Sequence, residues 1–294
     1  MKIVQDNNNV YVKDIRDFDL GQTMECGQCF HFNKLGEDEY GLVASGRFLH
    51  AKQEGSDLCL LDTTTDEAES FWIKYFDLER DYSQIKSMLL KEDEKLSEAI
   101  ETMWGVRILN QEFFETLISF IISQNKQIPH IKQIVATISR LYGNYLAKAG
   151  SFEFYSFPTP EQMKNVTVED LKECKTGFRA PYIKDAIDHV LAGKMNEDDL
   201  RAMPVMQCNQ QLMSIKGVGV KVANCVSLFG LGHREAFPVD VWIKRIVETL
   251  YFDGIDTPAE RIGEFGTSRF GEFGGYAQQY LFYYGKTIKM GVKR

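Results

Sequence analysis

The chain has 294 residues, of which 44% are hydrophobic, and a formal net charge of −8 at pH 7. This length suits two domains or one large domain, and the composition is that of a globular protein with a hydrophobic core. The sequence has no secretory signal pattern and no apolar run of roughly eighteen residues that could span a membrane. We therefore expect an intracellular protein without a membrane partner, in the cytoplasm and nucleoid of a bacterium or in the nucleus of a eukaryote.

Residues 1–94 are predicted to form an antiparallel β-sheet domain with flanking helices. Short β-branched or aromatic runs alternate there with turn residues. Two segments with helical spacing follow these runs and are expected to close the sheet. The predicted strands are Asn9–Val12, Gln28–Phe32, Tyr40–Ala44, Arg47–Ala51 and Leu58–Leu61, and the predicted helices are Thr65–Phe76 and Tyr82–Leu90.

Residues 95–294 are predicted to form a larger helical domain, because the hydrophobic period changes to that of helices. This domain includes a helical hairpin at about residues 209–229 and a C-terminal helix. The predicted fold class is α+β, with the sheet domain packed on the helical domain. The other predicted helices are Ile108–Ser123, Ile128–Tyr142, Thr159–Asn165, Val168–Lys172, Tyr182–Leu191, Leu200–Met203, Val241–Phe252, Thr257–Phe270 and Tyr276–Lys289.

The six cysteines are scattered along the chain and do not predict a disulfide framework in a reducing compartment. Cys26 and Cys29 have the spacing of a metal-binding pair. No second pair accompanies them, so buried cysteines are favoured over a zinc site. The C-terminal region also lacks the cysteine spacing of an iron–sulfur cluster. We therefore predict no metal site and no cofactor.

The segment KGVGVKVANC at residues 216–225 carries the most specific functional pattern. Its glycines permit a positive φ and a close approach of backbone to a ligand, while the apolar runs on both sides are typical of helices. Backbone N–H groups at the start of the second helix, with the positive end of the helix dipole behind them, can bind a DNA phosphate. Gly217, Val218 and Gly219 are therefore predicted to form a phosphate-binding hairpin, with a plain turn between packed helices as the alternative.

Lys221 and Asp240, the latter in a downstream Pro-Val-Asp sequence, are the candidate catalytic residues. A lysine amine attacks carbon only in its uncharged state, which a helix N-terminus, desolvation and nearby cations favour. Asp240 supplies a carboxylate that could stabilise positive charge developing on a sugar ring. It could also cap the helix that begins at Val241, and the two roles are compatible.

The glycine hairpin, Lys221 and the Pro-Val-Asp sequence together resemble the helix-hairpin-helix glycosylase signature, in particular that of 8-oxoguanine DNA glycosylase/AP lyases. Residues 105–125 and 274–282 are similar to two further segments of that family, so the similarity covers nearly the whole chain. It implies a bifunctional DNA repair enzyme that flips 8-oxoguanine out of duplex DNA, excises it through a lysine Schiff base and cleaves the strand by β-elimination.

The resemblance also implies which residues recognise the lesion. Oxidation turns N7 of guanine into a donor, so a fixed carbonyl, that of Gly27 in the family pattern, discriminates by on the order of 1–3 kcal/mol. Gln278 would read the Watson–Crick edge, and Phe282, four positions later on the same helical face, would stack on the base, with Cys225 on its other side. Residue type alone would make Phe282 and Cys225 core residues and Gly27 a turn glycine.

The family pattern further assigns four residues to the opposite strand. Asn125 would fill the space that the flipped base vacates, and Phe178 and Arg179 would supply an aromatic wedge and a basic contact. His130 replaces an arginine that helps eukaryotic members demand cytosine. Because a neutral imidazole donates fewer hydrogen bonds than a guanidinium group, we expect relaxed opposite-base selectivity. Trp242 also departs from the family pattern, which often has histidine there.

The net charge of −8 counts against simple electrostatic binding of DNA. Cations nevertheless outnumber acids between Leu212 and Leu250, and the tail carries cations without acids. We expect a basic face on an acidic body, duplex DNA containing 8-oxoguanine as the partner, and a monomer; a uniformly acidic surface is the alternative. The tail cations are Lys286, Lys289, Lys293 and Arg294.

Two other functions are compatible with the same residues. One is a glycosylase of this fold that acts on another lesion, such as an oxidised pyrimidine or a formamidopyrimidine. The other is a non-enzymatic DNA-binding protein that uses only the helical hairpin, in which case Lys221 and Asp240 would be incidental.

Overall fold

The structure, a computed structural model, describes residues 1–287 and combines an antiparallel sheet with a helical body, which confirms the α+β fold class. Six strands lie in the order β1-β2-β6-β5-β4-β3, and every neighbouring pair is antiparallel. The strands are β1 Lys2–Asp6, β2 Asn9–Lys13, β3 Phe32–Gly36, β4 Glu39–Ala44, β5 Arg47–Glu54 and β6 Asp57–Leu61.

Turn residues fix the register of the sheet. Ser45 (φ 47°) and Gly46 (φ 72°) join β4 to β5 with Ala44 opposite Arg47. Two consecutive left-handed residues are typical of the two-residue turn whose twist matches that of the flanking strands. The apolar face of the sheet then packs on Trp72, which is fully buried.

Fifteen helices occur in the described part of the chain. A π-helical segment at Ala68–Trp72 joins the second to the third. The helices are α1 Leu20–Glu25, α2 Thr65–Glu67, α3 Ile73–Tyr75, α4 Tyr82–Glu92, α5 Ser97–Thr102, α6 Phe113–Ser123, α7 Ile128–Tyr142, α8 Val168–Glu173, α9 Ala180–Leu191, α10 Glu197–Ala202, α11 Val205–Leu212, α12 Val220–Gly230, α13 Val241–Tyr251, α14 Ala259–Phe270 and α15 Gly274–Thr287.

The centre of the helical body is the contact between α6 and α12. Phe120 on α6 stacks on Phe229 on α12, with ring centroids 5.5 Å apart. Gly230 allows close approach, because a Cβ there would lie 3.0 Å from the side chain of Thr116. α15 in turn packs on α13, where Gly285 faces Ile246. These contacts bring the first turns of α12 and α13 close to the second half of α15.

Gln28 and Arg107 are buried polar side chains at the seam between the sheet and the helical body. The Gln28 amide donates to the carbonyls of Thr23 (2.9 Å) and Arg107 (2.7 Å) and accepts from the backbone N–H of Leu109 (2.9 Å). The Arg107 guanidinium donates to the carbonyls of Arg16, Asp17, Asp77 and Arg80. Buried polar side chains whose hydrogen bonds are satisfied in this way stabilise the contact between the sheet and the helical body and fix its geometry.

Three of the predicted elements are wrong. Residues 28–31 are irregular and β3 begins only at Phe32, because Gly27 has a φ of +85° and the Gln28 side chain is held at the seam. α6 begins at Phe113 and not at residue 108, because Glu112 caps it by accepting from the N–H groups of Phe114 and Glu115. Residues 159–165 form turns instead of a helix.

Some elements were not predicted. They are β1, α1, α5 and a second hairpin inside the helical part, β7 Tyr145–Ala149 and β8 Phe152–Tyr155. Phe154 of this hairpin packs against Gly41 of the large sheet, where a Cβ would lie 2.5 Å from its ring. The predicted end of the last helix at Lys289 lies outside the described residues, as do Lys293 and Arg294.

The buried side chains form two main clusters, one under the sheet and one in the helical body. α4 contributes Tyr82, Ile85 and Leu89 to the helical cluster, although it precedes the predicted domain boundary. The division into residues 1–94 and 95–294 stays a prediction. Within residues 1–287, no helix has both the length and the apolar character needed to cross a membrane.

Candidate active site

A cavity of about 410 Å³ opens where the first turns of α12 and α13 meet the second half of α15. Both predicted catalytic residues, Lys221 and Asp240, line it. So do Gly27 and Phe282, two of the predicted base-recognition residues. The other lining residues are Phe30, Phe120, Ser123, Lys126, Gln127, Ile128, Pro129, Ile131, Trp242 and Lys286.

The glycine hairpin joins α11 to α12 as the sequence predicted, but its two glycines differ. Gly217 has a φ of +77°, and a Cβ there would lie 2.2 Å from the ring of Tyr182. Gly219 has an extended backbone (φ −99°, ψ −179°) and open space around it. It caps α12 without a side-chain hydrogen bond, so the first amides of α12 carry no side-chain cap. Val218 between them is buried.

Lys221 lies in the first turn of α12 and reaches back to the end of α6. Its Nζ donates to the Ser123 hydroxyl at 3.4 Å and lies 5.3 Å from the ring centroid of Phe120. The side chain is half-buried. The packing of α12 on α6 therefore holds the amine at the wall of the cavity.

Asp240 is the N-cap of α13, which confirms the prediction that it caps the helix beginning at Val241. Its Oδ1 accepts from the N–H groups of Trp242 and Ile243, both at 2.9 Å. Burial raises the pKa of Asp240, while the two cap hydrogen bonds and the nearby positive charge of Lys221 oppose that increase. Because both cap bonds end on Oδ1, the second carboxylate oxygen can face the cavity.

The predicted base-recognition residues fall into two pairs. Gly27 and Phe282 line the cavity and lie against each other, since a Cβ on Gly27 would be 3.4 Å from the Phe282 ring. Cys225 and Gln278 are buried outside the lining. Burial raises the pKa of the Cys225 thiol to about 11. Within the described residues, the buried Oε1 of Gln278 accepts no hydrogen bond, which is unusual for a buried polar atom.

Asn125, His130 and Phe178 are exposed, whereas Arg179 is only 3% exposed. Asn125 follows α6 with a left-handed φ of 52°, and the side chain of Phe178 is 55% exposed. The Arg179 guanidinium packs 4.2 Å from the Phe178 ring and donates to the Gln124 carbonyl at 2.8 Å. Arg179 therefore supports the turn that presents Asn125, and its predicted contact with the opposite strand stays a prediction.

Sequence reasoning did not place several side chains in the cavity, among them Phe120, Ser123 and Lys286, which it had named only as a cation of the tail. Lys286 follows Phe282 by four positions and Gln278 by eight, which places all three on one face of α15. This spacing could have identified it. Burial lowers the pKa of Lys286. Within residues 1–287, no group of three His, Cys, Asp or Glu side chains could hold a metal ion.

Two family descriptions match the chain. Residues 10–117 match the 8-oxoguanine DNA glycosylase N-terminal domain, and residues 118–265 match the HhH-GPD superfamily of base excision DNA repair proteins. The N-glycosylase/DNA lyase OGG1 of Arabidopsis thaliana is 30% identical over 278 residues, which cover 90% of this chain and 76% of the plant protein.

Two solved structures are similar over nearly the whole chain. One is the 8-oxoguanine glycosylase/lyase of Clostridium acetobutylicum in complex with double-stranded DNA containing cytosine opposite 8-oxoguanine, with 36% identity and a TM-score of 0.94 over 99% of each chain. The other is MBOgg1 in complex with a low-affinity DNA ligand, with 41% identity and a TM-score of 0.93 over 98% of this chain and 99% of that chain.

The two hairpin glycines give a matched pair of substitutions. Gly217→Ala is expected to destabilise the protein by about 1–3 kcal/mol, because it places a Cβ at a left-handed φ and against Tyr182. Gly219→Ala is expected to change stability by less than about 1 kcal/mol, since its backbone is extended and its surroundings are open. Urea unfolding of the three proteins measures both values. Equal losses would contradict the assignment of the conformational constraint to Gly217.

Proposed function

The chain belongs to the HhH-GPD superfamily of base excision DNA repair proteins, within its 8-oxoguanine DNA glycosylase family, and we propose that it excises 8-oxoguanine from duplex DNA and cleaves the strand at the resulting abasic site. The observation that carries this proposal is the shared cavity of Lys221 and Asp240. This cavity is open to solvent, and the exposed residues Asn125, His130 and Phe178 are available to contact duplex DNA. A base inside a duplex is out of reach of any such cavity, so the nucleotide must be flipped out of the stack.

Lys221 acts as the nucleophile in this scheme. Its uncharged amine attacks C1′ of the flipped nucleotide, the glycosidic bond breaks, and the base leaves with the bonding electrons. The positive charge that develops on the sugar lies near the carboxylate of Asp240, which stabilises it. Opening of the sugar ring leaves a Schiff base between Nζ and C1′. Loss of a proton from C2′ then expels the 3′ phosphate, which is the lyase step.

The lesion is recognised at the inner end of the cavity. The carbonyl of Gly27 accepts from the N7–H of 8-oxoguanine and would face a lone pair in guanine. The unpaired Oε1 of Gln278 suits a donor on the Watson–Crick edge. Phe282 stacks on one face of the base and Cys225 lies against the other. Gln278 and Cys225 do not line the cavity, so side chains of the lining must move before the base reaches this second pair.

Duplex DNA is held by the hairpin and by exposed residues beside the cavity. The uncapped first amides of α12 face a phosphate, with the dipole of the helix behind them. Phe178 wedges into the stack, and Asn125 fills the vacated space, on a turn that Arg179 holds in place. Since one chain supplies every residue of the cavity, we propose that the monomer is active.

Opposite-base selectivity is proposed to be relaxed. His130 lies exposed in the first turn of α7, close to the cavity residues at 126–129. A neutral imidazole has one donor and one acceptor, whereas the arginine of eukaryotic members presents a fork of donors to cytosine. The histidine therefore accepts more than one partner base.

Borohydride reduction tests the role of Lys221. The native protein is expected to form a covalent adduct with an 8-oxoguanine duplex in the presence of borohydride, because reduction traps the Schiff base. Lys221→Gln removes the amine and should abolish the adduct while keeping duplex binding. Denaturing electrophoresis detects the adduct. If the variant were trapped as efficiently as the native protein, another nucleophile would be responsible, and if the native protein were never trapped, a DNA-binding protein without lyase chemistry would be favoured.

Asp240→Asn separates the catalytic from the capping role of this residue. Asparagine also caps helices, so duplex binding and folding should persist while the single-turnover excision rate falls by at least about 100-fold. Because burial raises the pKa of Asp240, the stability of the native protein relative to this variant should decrease as pH rises from about 4 through the raised pKa. Parallel rate, binding and unfolding measurements check these outcomes. A loss of binding equal to the loss of excision would make Asp240 structural only.

Four duplexes that differ in the base opposite 8-oxoguanine test the selectivity. We expect single-turnover rates within about tenfold of one another, which corresponds to a discrimination of about 1.4 kcal/mol. His130→Arg is expected to increase the preference for cytosine. A strong preference of the native protein for cytosine would show that His130 does not relax selectivity.

A further inference from the structure

Lys286 is a cation in the cavity that the chemistry above does not use. It lies on α15, is half-buried and lines the cavity together with Lys221 and Asp240. Within residues 1–287 it forms no ion pair with a carboxylate, and its Nζ lies 5.7 Å from the ring centroid of Tyr283. Burial lowers the pKa of this side chain, although the nearby Cys26, Glu25 and Asp240 oppose that decrease, and an anion bound beside it would offset more of the penalty.

The position of Lys286 along α15 limits which part of a bound nucleotide its side chain can reach. Gln278 is buried, Phe282 is half-buried, and Lys286 immediately precedes the exposed Thr287. Eight residues of α-helix span about 12 Å. If the base edge lies at Gln278 and the ring on Phe282, as proposed above, Lys286 is on the side of the base away from Gln278, near the exposed end of the helix.

Two other lysines, Lys126 and Lys221, also line the cavity, and the proposed scheme gives each of them other surroundings. Trp242 lines the cavity with one indole N–H donor and no charge. Lys221 is committed to the sugar carbon. Lys126 follows Asn125, the residue assigned to the opposite strand.

From these observations, and resting on the proposed function, we propose that Lys286 is a positioning residue that binds a phosphate of the flipped nucleotide. The phosphate supplies the counterion that the ammonium lacks. In turn, Lys286 fixes the sugar so that C1′ faces Lys221. A contact with the base itself is the competing assignment, and a duplex without a base at that position separates the two.

The experiment measures equilibrium binding to a duplex that contains a tetrahydrofuran abasic analogue, which no glycosylase or lyase step can cleave. Kd is determined over a series of KCl concentrations for the native protein, Lys286→Met, Lys286→Arg and the control Lys2→Met on the exposed edge strand β1. Lys286→Met is expected to bind about tenfold more weakly at low salt. The slope of log K against log salt should become shallower by about 0.9, the value for one phosphate contact.

Lys286→Arg should restore most of the affinity and the slope, and Lys2→Met should match the native protein. An unchanged slope for Lys286→Met would overturn the proposal. So would a loss of affinity confined to an 8-oxoguanine duplex, measured in a Lys221→Gln background, since it would assign the contact to the base. Excision of 8-oxoguanine by the native protein is scored separately, so a failure of the proposed function is distinguished from a failure of the phosphate contact.

Discussion

The site depends on the packing of α12 against α6. A reactive amine on a long, flexible side chain is useful only when its base of attachment is fixed, and here the contact of Phe120 with Phe229 fixes the helix that carries Lys221. The same contact sets Ser123 within reach of Nζ. The carboxylate of Asp240 and the ring of Phe282 line the same cavity as this amine.

Two helix N-termini near the cavity have opposite electrostatic roles. α13 is capped by Asp240, whose negative charge satisfies two of its amides and remains close to Lys221. α12 is capped by Gly219 without a side chain, so its positive end is available to an external anion. Under the proposed function, this difference would let a chain with a net charge of −8 bind a polyanion, because backbone amides provide attraction that the composition does not reveal.

Much of this arrangement could be predicted from the sequence, because local rules determine it. The bounds of α7 were predicted correctly from its periodicity, and the hairpin was predicted from its glycines. Residues 28–31 were mistaken for part of a strand because the cause of their conformation is tertiary, namely the buried bonds of Gln28 to residues some 80 positions away. Similarly, the burial of Arg179 depends on the carbonyl of Gln124, to which no local pattern points. The roles assigned to individual side chains of the site stay predictions.

The most direct test of the account is a single-turnover reaction of the native protein, in excess, with a duplex containing one 8-oxoguanine opposite cytosine. The account predicts that free 8-oxoguanine is released and that the damaged strand is cut at the lesion, with an unsaturated aldehyde on the 3′ end of the upstream fragment. Chromatography of the base and mass spectrometry of the fragments identify both products. A duplex that remained intact, with its base still attached, would contradict the claim that Lys221 and Asp240 form the active centre of a DNA glycosylase/lyase.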